Sequence, residues 1–538
     1  MKETIIILGA GVMQGPAINI AKELGFFTIA LDGSSSAPCI PLADKFEQID
    51  LKNKEEIENF AYNVQKSSGR LGIMTAGTDF SASVAWVAER LGLPGIPYEA
   101  ALNASDKSRM RECFKKASLP SPEFITITAD SKLPAVDSLL PIKFPVVVKP
   151  VDNMGSRGCR RVDNFEELKK AAETALSFSR SGRAIIENYM EGHEFSVDAI
   201  VCHGQITICG LADRHIFFPP YFIEMGHTMP TVIEEKKQQA LLETFREGIH
   251  ALALDGKESI GAAKGDIKLT AKGPMIGEIA ARLSGGYMSG WTYPYSSGVL
   301  PIKAAILAAM GKPPVDLIPK KHWTCAERAF ISIPGKVKEI IKNDECRMAN
   351  GGENFVNNFF LRVKEGDTVS FPENNVTKCG NFIASASDRE DAINAAESAA
   401  RSVLIRLETK NNETRKFLAD IDSAKDKFTF PPNAFELTEE LLIALNNLPE
   451  TTPHSTFHIP HSSFLIPFPA FESSNLKDYM GRTVQEALEA VRQLTGFLLP
   501  ITAENAENVT RLGRSFWAAL IRGSYQGAVY YIDSLGEK

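Results

Sequence analysis

The sequence predicts an α/β protein that opens on a doubly wound parallel sheet and continues into α+β units, and three observations lead there. Short apolar runs at residues 4–8, 27–31 and 72–75 alternate with amphipathic stretches at about 15–24 and up to residue 91, the pattern of strands crossed over by helices. Residues 264–282 carry two alternating strands around Lys272-Gly273, which predicts an antiparallel hairpin. At 538 residues the chain exceeds one hydrophobic core and divides into several units.

Taken in order, the first element ends in Gly9-Ala-Gly11-Val-Met-Gln-Gly15, and Asp32 ends the second strand. This nearly matches a dinucleotide fingerprint, but Gln14 stands at the third glycine position. A nicotinamide cofactor and simple close packing of strand on helix are both open readings of the turn. Residues 1–105 form the N-terminal domain. A helix over 104–119, starting at Ser105 or Asp106 and stopping before Pro120 and Pro122, leads into a second domain over 106–317. Strands at 329–338 and 358–371 and an Ala-rich helix at 388–407 give a small α/β unit over 318–408. The extension 409–538 is rich in Pro, Phe and His at 428–471 and then predicts helices over 482–494 and 503–520. Its His454, His458 and His461 are spaced like metal ligands, but Pro453 and Pro460 prevent a regular helix and favour a solvated loop.

Composition narrows the function. A 44% apolar and 23% charged chain is an ordinary globular one, and a net charge of −7 without a basic cluster argues against nucleic acid as a partner. The eight cysteines are scattered, with no zinc or redox spacing. The first apolar run is too short for a signal peptide and no run reaches membrane-spanning length, so a cytoplasmic, reducing location and no membrane partner are expected.

The chemistry concentrates between Lys149 and Arg282. Phe144-Pro-Val-Val-Val-Lys149 is a buried-type strand ending in an ammonium, which is costly to bury unless an anion meets it. Gly155, Ser156, Arg157 and Gly158 follow in a loop able to fold N–H groups over phosphates, although it is not a Walker A loop. A strand at 183–190 then places Glu187 and Met190 near its end, with Glu194 beyond, where an acceptor for an adenine amine and a carboxylate for ribose hydroxyls would sit. In the hairpin, pairing about Lys272-Gly273 sets Asp266 opposite Glu278, with Lys268, Ala280 and Arg282 on the same face and Ile267, Leu269, Ile279 and Ala281 toward the core. Opposed carboxylates repel, so a bridging Mg²⁺ is the economical explanation; a salt-bridge network with Lys268 and Arg282 as counter-ions is the alternative.

These segments, in this order, resemble the ATP-grasp superfamily over residues 1 to about 407. The resemblance implies a two-lobed ATP-grasp domain with ATP as co-substrate and Mg²⁺, or Mn²⁺ in its place. It implies that Lys107 and Lys149 contact phosphates beneath a 152–158 lid, that Glu187 and Met190 meet adenine and Glu194 the ribose, that Asp266 and Glu278 hold metal, and that Arg282 holds the transferring phosphoryl group. Ala280 stands where many members have Asn, and Asp266 where a Glu is common. The stretch 219–230, with Glu224 and His227, is similar to L-amino acid ligases, in which such an acid and histidine lie by the substrates; Gly285-Gly286 and Trp291 follow where those ligases bind the acyl end. From the residues alone, Glu224 could receive a substrate ammonium and His227 polarise a carboxylate or take a proton, or the two could be a capping acid and a half-buried histidine.

The expected function is therefore ATP-dependent activation of a small carboxylate, an amino acid, as an acyl phosphate and its joining to an amine. The alternatives are another enzyme of the superfamily (carboxylase-like or a purine-pathway ligase) and a non-catalytic ATP-binding regulator. Whether 409–538 caps the active site or mediates homodimerisation is open.

Overall fold

The computed structural model describes residues 2–130, 142–342, 355–421, 430–450, 464–497 and 511–536. His454, His458, His461 and the start of the helix expected at 503–520 lie outside the described residues. The chain divides into two compact units: Met1–Ile216, Gly226–Glu327 and Ile383–Ile393 form unit 1, and Phe217–Met225, Arg328–Phe382 and Asn394–Lys538 form unit 2.

Unit 1 opens on β1 (Thr4–Leu8), β2 (Phe27–Asp32), β3 (Lys45–Gln48) and β4 (Leu71–Thr75), all parallel, in the order β3-β2-β1-β4. Helices on both faces leave Ile5, Ile6, Ile7 and Leu8 fully buried. Strand order reverses at β1, so the crevice at the carboxyl ends of β1 and β4 is the topological switch point. The glycine turn on its β1 side is filled from within. Asp32 accepts from the Ala10 N–H at 2.8 Å, Gln14 Oε1 accepts from Gly11 N at 3.0 Å, and Gln14 Nε2 donates to the Ala76 carbonyl. Those groups are the ones a pyrophosphate and ribose would use, so close packing is the reading the turn supports.

A second sheet, antiparallel, comprises β5 (Phe124–Thr128), β6 (Val146–Pro150), β7 (Arg160–Val162) and β8 (Arg183–Asn188) in the order β5-β8-β6-β7. The helix Lys107–Lys116 precedes it; Asp106 caps that helix by accepting from Ser108 N and Arg109 N. The third sheet carries β9 (His193–Cys202), β10 (Gln205–Phe217), β11 (Ile223–Met229), β12 (Ile260–Thr270) and β13 (Gly273–Ala280) in the order β13-β12-β9-β10-β11, with antiparallel pairing among β9, β10, β12 and β13. Ile267 and Ile279 are fully buried in its core, while Lys264, Asp266 and Lys268 of β12 face the other way.

The remaining strands are β14 (Thr324–Phe330), β15 (Gly335–Lys342), β16 (Val356–Leu361), β17 (Thr368–Val369), β18 (Gly380–Ala386) and β19 (Val403–Leu407). Unit 2 contains the antiparallel sheet β17-β15-β19. The strand expected at 329–338 is two, β14 and β15, because Pro334 between them lacks the N–H a ladder needs. Likewise 358–371 contains the end of β16 and all of β17. The helix Val484–Thr495 starts at a Thr483–Glu486 capping box close to the expected 482. The last helix begins later than expected: Arg511-Leu512 pairs as a strand with Phe464-Leu465, and helix runs over Arg514–Gly536 with a break at Gly523-Ser524. Phe435, Phe471, Phe516 and Trp517 fill the core of this part. Among the described residues seven cysteines are free, and no helix is long and apolar enough to cross a membrane.

Candidate active site

Strand register assembles one charged face in unit 1. Pairing sets Glu278, Asp266 and Ser196 in one row, Ala280, Lys264 and Asp198 in the next, and Lys268, Glu194 and Arg214 in a third. Asp266 thus stands opposite Glu278, as the hairpin turn predicts. One detail differs: the register shifts between Asp266 and Ile267, leaving Gly277 as a bulge residue.

The counter-ions are not those the hairpin alone suggests. Asp266 pairs with Lys264 and with Arg214 at 2.9 Å, and Ser196 Oγ donates to it at 3.3 Å. Glu278 lies 3.2 Å from Lys107. Lys268 instead donates to the Met190 carbonyl at 3.2 Å and sits 3.7 Å from Glu194. Burial opposes the charge of Glu278, yet Lys107, Lys264, Lys149 and Arg282 outweigh it and hold its carboxyl at about 2. Asp198, on the same sheet, shows the opposite result: burial raises its carboxyl to about 6 despite hydrogen bonds from the Ser284 hydroxyl (2.6 Å) and N–H. Arg282 Nη1 donates to the Leu283 carbonyl at 3.1 Å, while its buried Nε finds no acceptor among the described residues. A buried guanidinium N–H left without an acceptor suits an anion that arrives with a ligand.

Asp266 and Glu278 supply hard oxygen donors, the type Mg²⁺ prefers. Among the described residues no group of three or more acidic, histidine or cysteine side chains converges as a metal cage, and Ala280 supplies no ligand. The pair fits an ion that keeps most of its coordination for phosphate oxygens and water.

The expected nucleotide residues surround this face. Lys107, buried, donates from Nζ to the Asn153 carbonyl at 2.9 Å, which ties the glycine loop to Glu278. Gly155, Ser156 and Gly158 all adopt left-handed φ, so the loop bends back on itself around the Arg157 N–H to Met154 carbonyl contact of 3.4 Å. Arg157 Nε donates to the same carbonyl at 3.0 Å. Lys149 meets Glu187 at 2.7 Å, and Arg111 meets the same carboxylate at 2.7 Å. The Glu187 carboxylate is therefore taken up by two cations. It is 2% exposed and enclosed by two cations, which hold its carboxyl below the usual range against the cost of burial. Met190, partly exposed, follows at the end of the same segment. Glu194 is held by Arg214.

His227 is fully buried, with Nε2 3.1 Å from Thr292 Oγ1 and Nδ1 3.2 Å from the Glu327 carboxylate. Glu224 belongs to unit 2, where its N–H donates to Asn375 Oδ1 at 2.7 Å and Lys378 donates to its carbonyl. Sequence reasoning did not single out Arg111, Arg214, Glu327 or Asp79. For Arg111 a signal existed, a cation on the inner side of an amphipathic helix; for Arg214 and Glu327 the partners come from other strands, and Asp79 lies on a loop, so no local pattern announces them.

Residues 142–289 match the ATP-grasp domain model, and residues 329–408 match L-amino acid ligase C-terminal domain 2. Carnosine synthase 1 of Gallus gallus is 23% identical over 336 residues, covering 58% of this chain and 36% of that protein, so the chain spans only part of the curated relative it matches. The L-amino acid ligase of Bacillus licheniformis superposes with a TM-score of 0.64 at 18% identity, over 76% of this chain and all of that one. Phosphoribosylglycinamide synthetase of Anaerococcus prevotii gives 0.59 at 22%, over 76% of this chain and all of that one. Along the chain, then, a segment matching the ATP-grasp domain is followed by one matching L-amino acid ligase C-terminal domain 2, and the fold is shared with solved ligases of both kinds.

Proposed function

We propose that the chain is an ATP-dependent carboxylate–amine ligase whose carboxylate is an amino acid. A carboxylate oxygen of that substrate attacks the γ-phosphorus, the bond to the β-γ bridging oxygen breaks, and ADP leaves. The amine nitrogen of the second substrate then attacks the acyl carbon, the bond to phosphate breaks, and the ammonium's surplus protons pass to phosphate and water. Arg282 holds the transferring group through its unsatisfied Nε, and Lys107 and Lys149 meet the phosphates. Asp266 and Glu278 would hold Mg²⁺, whose contribution is to offset phosphate charge. Glu187 acts through Lys149, fixing its ammonium at the end of β6.

The observation that carries this reading is an ionised Glu278 on the hairpin together with the acceptor-less Nε of Arg282 just beyond its second strand. The L-amino acid ligase domain and the carnosine synthase relative support an amino-acid substrate over the carboxylase and purine-pathway alternatives. The test is ADP formation from ATP across amino acids, singly and in pairs, with hydroxylamine to trap acyl phosphate. Hydroxamate formed with one amino acid, and amide formed with a pair, are the expected results. ADP formation that ignores amino acids but follows bicarbonate or a phosphoribosylamine would overturn the reading.

A further inference from the structure

The loop after β4 carries a carboxylate that the reaction described so far leaves without a task. Asp79 lies at the carboxyl end of the parallel sheet, beside the switch-point crevice, where open α/β sheets receive ligands. The β1 side of that crevice is closed by Gln14, so the β4 side is what remains to face a ligand.

The loop is fastened to the catalytic hairpin's exit. Ala76 bridges to Leu283, the Gly77 N–H donates to the Leu283 carbonyl at 3.3 Å, and Gly77 and Gly285 touch backbone to backbone, so that a Cβ on Gly285 would meet the Gly77 oxygen at 3.1 Å. Phe80 lies beneath the Arg180 guanidinium at 5.3 Å. Asp79, partly exposed, is within electrostatic reach of Arg282, Lys107, Arg180 and Glu278, yet it makes no hydrogen bond and no ion pair within 4 Å with the described residues. Burial raises its carboxyl above the usual carboxylate range, with Arg282 and Lys107 opposing the rise. A carboxylate with a structural role would be saturated by such neighbours, as Glu187 is. A partly exposed one that lines the crevice and has no direct partner is free to receive a cation that comes and goes.

We infer that Asp79 receives the ammonium group of the incoming amine substrate, holding it beside the phosphoryl group that Arg282 grips. The ligand class is a primary ammonium ion, and the inference rests on the ligase reading above. The placement suits the second half-reaction, since the amine has to reach an acyl carbon whose phosphate is at Arg282.

Hydroxylamine separates the two ideas because it is neutral near pH 7 and needs no carboxylate to receive it. Asp79→Asn is compared with the wild type for hydroxamate and amide formation from the same amino acid pair, with Asp79→Glu as the conservative variant. The expected result is a rise in the hydroxamate-to-amide ratio of about tenfold or more, carried by KM for the amine and partly reversed in Asp79→Glu. An unchanged ratio, whether both products persist or both fall together, overturns the inference and makes Asp79 a structural or activation-step residue. Failure of the wild type to form any hydroxamate is instead the failure of the ligase reading, and the inference falls with it.

Discussion

Two glycine-rich turns in unit 1 look alike in sequence and differ in what they do with their polar groups. In Gly9–Gly15 the Ala10 and Gly11 N–H groups are taken by Asp32 and Gln14, and the Gln14 amide closes the crevice against Ala76. In the 152–158 loop the internal bonds are short turn contacts, and the N–H groups of Gly155 and Gly158 find no acceptor among the described residues. Glycine spacing states only that backbones can bend or approach closely. Whether a turn serves a ligand depends on whether its donors remain unspent, and that is decided by side chains the motif does not specify.

This contrast can be broken experimentally, starting where the effect is largest. Around the open loop, Arg282→Ala removes a buried donor that has no acceptor among the described residues, and Glu278→Gln removes the charge opposite Asp266. Each is expected to lower ADP formation by about a hundredfold or more while the protein stays folded, read as steady-state ADP release beside a thermal melt. Near-normal turnover in both would remove the charged face from catalysis. Within the loop itself, Gly158 has φ of +68°, and a Cβ there would lie 2.9 Å from Phe178 Cβ. Gly158→Val is therefore expected to raise KM for ATP by about tenfold, from ~1–2 kcal/mol of backbone strain. The smallest effect on activity belongs to the closed turn. Gln14→Leu leaves the Gly11 N–H and Ala76 carbonyl unsatisfied, so it costs ~1–3 kcal/mol of stability, visible in the melt, with ATP kinetics within about twofold of wild type. A marked rise in KM for ATP in that variant would show that the two turns are alike after all.

The same contrast marks how far the sequence could be read. The N-terminal sheet, the hairpin and the face shared by Asp266 and Glu278 follow from strand periodicity and one turn, because those signals are local. Their counter-ions were not legible, since Lys107 and Glu278 are far apart in the chain and meet only through the packing of two sheets. Glu187 shows the limit most clearly. Its position at a strand end suggested the nucleotide base, and only the structure reveals Arg111 waiting on the other side. The bulge at Gly277 was hidden for a related reason, because alternation is preserved on both sides of a single extra residue.

That bulge has a mechanical consequence. The Gly277 carbonyl it turns outward accepts from Arg111 Nη2 at 2.6 Å, and the same guanidinium holds Glu187, which holds Lys149. Arg111 is fully buried, so this link is screened from salt and rigid. One side chain thus acts as a spacer bar between two sheets, gauging the gap across which Lys149 on one jaw and Glu278 on the other would grip the same nucleotide.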